Sequence, residues 1–276
     1  MKKINAKLVV VNLLAWTIAI VWLMPFIGLF MTSVRPFREL THGWWNFEEA
    51  HFTLENYIEA FERGMGKYLL NSLIITVPST AIPIFVAALA AYAFSRFSFP
   101  IKDLLFITLV FIQIIPSILV LIPLTILLRE MRLLNTIIGL VLIHSSFAQP
   151  WIIFFLRNFF LTLPKEIEEA AKIDGCTDFQ IFMKIVLPLS APALGSVASL
   201  QFLLVWNEFL FALIFLKSPE LWPVTIGVTV LSQSQYIANW GLLSAASIIA
   251  ISVPLILFLL IQKYYIRGLV MGAVKG

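Results

Sequence analysis

The stretch Leu161-Thr-Leu-Pro-Lys-Glu-Ile-Glu-Glu-Ala-Ala-Lys-Ile-Asp-Gly-Cys-Thr-Asp-Phe-Gln-Ile-Phe-Met-Lys-Ile-Val-Leu-Pro188 lies between two long apolar runs. Pro164 suits the first turn of a helix, where a missing N–H costs no hydrogen bond. Glu166, Glu168 and Glu169 follow, at the positive end of the helix dipole. Gly175 supplies a left-handed stop. Thr177 and Gln180 have capping-box spacing for a second helix, which Pro188 ends. The prediction is two short helices meeting at a turn. On the second, Phe182 and Ile185 share a face, with Phe179 beside them. Ala170 and Ala171 stand where an exposed helix ordinarily carries Lys, Glu or Gln, so another surface can approach the backbone closely. Taken alone, the same features also describe an ordinary amphipathic loop helix with a capping glycine.

The flanks decide the solvent. Of 276 residues, 61% are apolar and 12% charged, whereas a soluble domain carries about 25% charged residues. So few charges cannot cover a water-facing surface, and lipid must solvate much of the chain. The 24 Phe and eight Trp suit lipid and interface alike. A net charge of +4 from scattered basic residues points away from a nucleic-acid partner. Cys176 is alone, which rules out an intrachain disulfide or a cysteine metal cluster. Lys2, Lys3 and Lys7 resemble the basic region of a secretory signal, but the uncharged run 8–34 far exceeds the ~7–15 residues of a signal core. A retained first span is expected.

A spanning helix needs ~20 mostly apolar residues. The uncharged runs predict six, at about 8–32, 69–95, 104–128, 135–156, 190–216 and 242–262. The expected fold is therefore all-α, a polytopic membrane protein of one transmembrane domain over residues 1–276. Residues 161–188 form the loop between spans four and five, and 263–276 a C-terminal tail. Placing both termini inside puts Lys2, Lys3, Lys7, Arg96, Lys102, Arg157, Lys165, Lys172, Lys184, Lys263, Arg267 and Lys275 in inner segments. Arg35, Arg38, Arg63, Lys67, Arg129, Arg132 and Lys217 then lie outside, and the larger inner set favours this orientation. The loop from Arg35 to Lys67 carries six Glu residues and reads as a water-exposed outer surface.

The loop's spacing now acquires a second meaning. Glu169-Ala170-Ala171, three residues, Gly175, nine residues, then Ile185-x-Leu187-Pro188 resembles the EAA loop of binding-protein-dependent ABC import permeases. Asp174 before the glycine fits too. The resemblance implies a type I importer permease architecture with short cytoplasmic coupling helices. It implies that Glu169, Ala170, Ala171, Asp174, Gly175, Phe182, Ile185, Leu187 and Pro188 couple the spans to an ATPase subunit. Asn56-Tyr57, Asn71-Ser72, Leu89-Ala-Ala-Tyr-Ala-Phe94 and Trp206-Asn-Glu-Phe209 look like the carbohydrate branch, specifically the maltose-type second permease subunit. The end of the chain, Met271-Gly-Ala-Val-Lys-Gly276, resembles that subunit's tail, implying that Gly272, Val274, Lys275 and Gly276 contact the ATPase. The implied partners are a second permease subunit, two ATPase subunits that use ATP and Mg²⁺, and an extracytoplasmic solute-binding protein. The implied location is a prokaryotic inner membrane.

Other groups complete the reading. Glu208 is the acid placed well inside a predicted span, and an intramembrane ionisable group is a functional candidate by default. On a continuous helix Gln201, Val205, Glu208 and Ala212 share one face. Gln201, Trp206, Asn207 and Glu208 are therefore candidates to line a solute pathway. The alternative for Glu208 is a bond to a neighbouring helix or a place in the watery outer third of the membrane. Gln113 is a further pathway candidate, set against Pro116 and Pro123 as simple kinks. His144 reads as a helix-packing hydrogen bonder, and His42 and His51 have no nearby ligand set, so no metal site is expected. Gly66-Lys67 lacks the earlier glycine of a phosphate loop, Phe61 standing there. ATP hydrolysis therefore falls to another polypeptide, and no enzymatic activity or bound cofactor is expected of this one. The leading expectation is import of a sugar or oligosaccharide by alternating access. A permease for a non-sugar solute is the alternative. An integral-membrane enzyme is the remote one, since no convergent acid pair or His–Glu motif appears in the sequence.

Overall fold

A computed structural model describes residues 6–47, 50–232 and 239–273, and among these every regular element is helical. Among the described residues, four helices are long and apolar enough to cross a bilayer without interruption. They are α1 (Ala6–Ser33), α3 (Met65–Arg96), α6 (Ile137–Phe160) and α13 (Trp240–Ala273). Between them lie α2 (Glu55–Glu62), α4 (Lys102–Ile112), α5 (Leu121–Glu130), α7 (Lys165–Ile173), α8 (Asp178–Ile181), α9 (Leu187–Leu189), α10 (Ala191–Trp206), α11 (Leu210–Phe215) and α12 (Val224–Ser232).

Two expected spans are not single rods. The stretch 104–128 is split into α4 and the helical segment Ser117–Glu130, set at 95° to each other. Pro116 supplies the cause, having no N–H to continue α4 and disfavouring helical geometry in the residue before it. Pro123 sits in the first turn of α5, where a proline is tolerated. The stretch 190–216 holds the 16 residues of α10 and, after a break at 207–209, the six of α11. At ~1.5 Å per residue α10 is roughly 24 Å long, short of a ~30 Å hydrocarbon core.

The chain divides into two compact units, Met1–Gly66 with Gly227–Ser252 and Lys67–Ile226 with Val253–Gly276. In the first, the loop after α1 is organised by Arg35, whose side chain is almost fully buried. Its guanidinium pairs with Glu39 at 3.0 Å and donates to the carbonyls of Trp44 (3.1 Å) and Asn46 (2.6 Å). A buried charge is tolerable only when so satisfied. Asn56, also buried, donates to the carbonyls of Ser33 and Arg35 and ties α2 to the end of α1. Glu39 in turn accepts from the backbone N–H of His51 and pairs with its ring at 2.7 Å.

In the second unit the core has two ends. At one, Ala87, Ala88 and Ala91 of α3 meet Ile152, Leu156 and Phe160 of α6, small residues allowing close helix approach. At the other, Leu140 and Ile143 of α6 pack with Val205, Phe211 and Phe215. Asn71 and Ser72 on α3 hold the chain before α12. Asn71 donates to the carbonyls of Glu220 and Trp222, and Ser72 accepts from Val224 N–H.

Candidate coupling loop and pathway break

Residues 161–188 form the two short helices expected, joined by a fully bonded stop. Gly175 has φ +88°. Its N–H donates to Lys172 C=O and the next N–H, of Cys176, to Ala171 C=O, both at 3.0 Å. These are the two bonds of a Schellman closure. The capping box is also present: Gln180 N–H donates to Thr177 Oγ1 at 3.3 Å, and Thr177 N–H to Gln180 Oε1 at 2.9 Å. Lys172 and Asp178 pair across the turn at 2.9 Å. The Asp178 hydrogen bond and charge together hold the Lys172 ammonium above its ordinary value.

The end of this segment differs from expectation. Pro188 does not stop the second helix, which runs through a π turn at Phe182–Val186 into α9. A regular α-helix would drive the proline ring into Lys184 C=O, and the wider turn relieves that clash. The stop falls at Ser190, between Pro188 and Pro192, where the chain bends 75° into α10.

The faces of α7 also sort differently. Ala171 is buried and packs inward with Phe182, Ile181 and Val186, as do the half-buried Ile185 and Leu187. These residues shape the loop from within. Glu169, Ala170, Asp174, Gly175 and Pro188 are exposed. Phe179 is turned away from Phe182 and stands 61% exposed, with Ile173 at 87%. Ile173 lies four residues after Glu169 and so on the same face of α7, the one signal in the sequence for its exposure. Ile173 and Phe179 thus stand exposed on either side of the turn, an apolar knob with the exposed Glu169 and Asp174 close by along the chain. An added Cβ at Gly175 meets nothing within 4 Å, so the turn itself is open.

A further contact lay outside the sequence reading. Glu168, nearly buried, pairs with Arg96 at the end of α3 at 2.7 Å.

The pathway candidates do not converge on one face, because α10 ends at Trp206. Gln201 is buried and donates from Nε2 to Ser79 C=O at 3.0 Å. That carbonyl is the one Pro83 leaves without a helical donor. Trp206 is buried and stacked on Phe202, with centroids 5.5 Å apart. Asn207 is exposed and donates to Leu203 C=O. Glu208 caps the following helix, its carboxylate accepting from Phe211 N–H (2.7 Å) and Ala212 N–H (3.2 Å). His144 Nε2 lies 3.9 Å from the same carboxylate, and its ring rests on Phe211. The shared face of Gln201 and Glu208 is thus overturned by the break at 207–209. Gln113 is exposed at the end of α4, in the bend. Of the tail, Gly272 falls in the last turns of α13, while Val274, Lys275 and Gly276 lie outside the described residues.

Comparison with known proteins gives a consistent set of relatives. The family model described as binding-protein-dependent transport system inner membrane component matches residues 84–270. A Pyrococcus horikoshii protein described as a probable ABC transporter permease is 50% identical, over 98% of each chain. The α-glucoside transport system permease of Rhizobium meliloti is 43% identical, over 82% of this chain and 61% of that one. Among solved structures, a bacterial ABC transporter involved in alginate import has a chain that superposes with a TM-score of 0.83. That match is 21% identical, over 93% of this chain and 95% of that chain.

Proposed function

We propose a role that proceeds from one premise: the chain belongs to the binding-protein-dependent transport system inner membrane components. It is a membrane permease subunit of an ATP-driven importer, and ATP hydrolysis belongs to a separate subunit.

We infer that residues 161–188 seat against the ATPase and carry its closure to the spans. The observation behind this is the apolar knob on a rigid frame. Ile173 and Phe179 are largely exposed beside Glu169 and Asp174, while the Schellman closure and the capping box fix the turn between them. Exposed apolar groups on an otherwise well-bonded cytoplasmic loop mark an interaction surface. Ala170 leaves the backbone accessible, and Ala171, Phe182, Ile185 and Leu187 support the knob from beneath. Pro188 sets the bend into α10. The tail, Gly272 to Gly276, is a second ATPase contact. Two ATPase subunits using ATP and Mg²⁺, a different second permease subunit and an external binding protein complete the complex. Both termini face the cytoplasm, as the distribution of Lys and Arg favours.

The cargo we assign is a sugar or oligosaccharide, moved by alternating access. The α-glucoside relative supports this, as do Asn207 and Glu208 at a helix break at membrane depth. Broken helices at such depth occur where they line a cavity. Gln113, at the other bend, is the next group to test, whereas Gln201 and Trp206 act on the path through the packing of α10. The deciding experiment purifies the assembled complex and screens carbohydrates for stimulation of its ATPase. Stimulation by a glycoside is expected, and stimulation by an amino acid alone would overturn the cargo. Near-normal transport in Asn207→Ala and Glu208→Ala variants would remove the break from the pathway.

A further inference from the structure

One side chain joins the coupling loop to a membrane span. Arg96 is the last residue of α3, and its guanidinium is held from three directions. Nε donates to Glu168 Oε1 at 2.8 Å. NH2 lies 2.7 Å from the same oxygen and donates to Phe160 C=O at 2.9 Å and Leu163 C=O at 3.3 Å. The second oxygen of Glu168 accepts from Tyr92 Oη, one turn back on α3, at 3.2 Å. The side chains of Arg96 and Glu168 are only 7% and 9% exposed. The Tyr92 ring packs on Phe182 with centroids 5.2 Å apart.

We propose that Arg96 is a positioning residue that makes α7 and the end of α3 move together, so that displacement of the coupling loop reaches a span through Glu168. The proposal rests on the reading of 161–188 as the ATPase contact. Four physical points carry it. An exposed ion pair exchanges with water and is too weak to transmit a displacement, but this one is buried and cannot part without leaving a charge unpaired in low dielectric. The guanidinium is planar and rigid, so its bonds fix direction as well as distance. Glu168 and Ala171 form the inward face of α7, opposite the exposed Glu169 and Ile173. A push on the outer face therefore falls on the pair behind it. Phe160 and Leu163 anchor the same guanidinium to the end of α6, so the joint pivots about a fixed point.

The test uses the complete complex in lipid nanodiscs and needs no identified cargo. Nitroxides at positions 70 and 204, exposed sites on α3 and α10, report the movement of α3 on adding ATP and Mg²⁺. In the chain with native Arg96 a shift in their separation is expected. In Arg96→Ala the shift should fall at least threefold while ATP hydrolysis stays within twofold. Arg96→Lys keeps the charge but not the fork, and Tyr92→Phe removes one hydroxyl; both should fall between. They also serve if Arg96→Ala fails to assemble. Absence of any shift with native Arg96, a full shift in all three variants, or hydrolysis and shift declining in proportion would overturn the proposal. A separate nitroxide at position 179 checks the underlying reading. If its mobility ignores the ATPase, the coupling-loop assignment fails, independently of Arg96.

Discussion

Gln201 and Pro83 show how one residue answers for another. Pro83 is in mid-span and leaves Ser79 C=O without a helical donor, and Gln201 supplies one from α10. Gln201→Leu should therefore lose about 1 kcal/mol, the scale of an interhelical hydrogen bond in a membrane, read from reversible unfolding in mixed micelles. With Pro83→Ala restoring the backbone N–H, the same substitution should cost little. An undiminished loss in the double variant would assign Gln201 another task. Glu208 makes a parallel case. Its carboxylate caps two N–H groups of α11, so Glu208→Ala should cost about 1 kcal/mol, as lost caps do, and Glu208→Gln, with one accepting oxygen left, less. An equal loss of stability in both variants would contradict the capping role. The prolines were plain in the sequence. Which side chain rescues which carbonyl was not, because residues 79 and 201 meet only once α3 and α10 are packed.

At the scale of elements, the turn at Gly175 depends on backbone conformation alone. An added Cβ would touch nothing, so only the left-handed φ opposes substitution. Gly175→Val should cost about 1–2 kcal/mol and weaken ATPase association, whereas Gly175→Asn should stay near the native level. Equal losses for both, measured by co-purification, would point to contact with the added side chain instead. The loop after α1 offers a pH test. Burial pushes the Glu39 carboxyl up, but hydrogen bonds from His51 and Arg35 outweigh it and hold it below its ordinary value of 4.5. A depressed folded pKa stabilises above the unfolded value, and the contribution disappears as pH falls through the folded one. In a variant that keeps Trp44 and Trp45 and replaces the other six Trp by Phe, fluorescence should therefore hold steady down to about pH 5 and change only under more acid conditions. Glu39→Gln should remove that step, and a step that survived would belong to another group. Elements such as the loop's two helices were legible because glycine stops and capping boxes act within a few residues. The splitting of 104–128 was half legible, since Pro116 gave the place of the bend but not its 95°. The pairing of Arg96 with Glu168, 72 residues apart, had no local signal.

For the whole molecule, composition alone was enough to require lipid, since 12% charged residues cannot clothe a soluble surface. The uncharged runs located the membrane segments but not their integrity. A break such as 207–209 needs a capping acid, and an acid inside a span reads equally as a pathway group. The family followed from the spacing of a few residues about Gly175, and the cargo did not. Cys176 closes the turn through its backbone, its side chain is half-buried, and it is the one thiol in the sequence. Alkylation by a maleimide thus becomes a clock set at the coupling loop, with no competing site on this polypeptide to remove. The reaction should be slow in the isolated subunit and, on the proposed ATPase contact at this turn, several-fold slower in the assembled complex. An unchanged rate on assembly would contradict that contact, and a rate that rises with nucleotide would mean that the turn is uncovered during turnover.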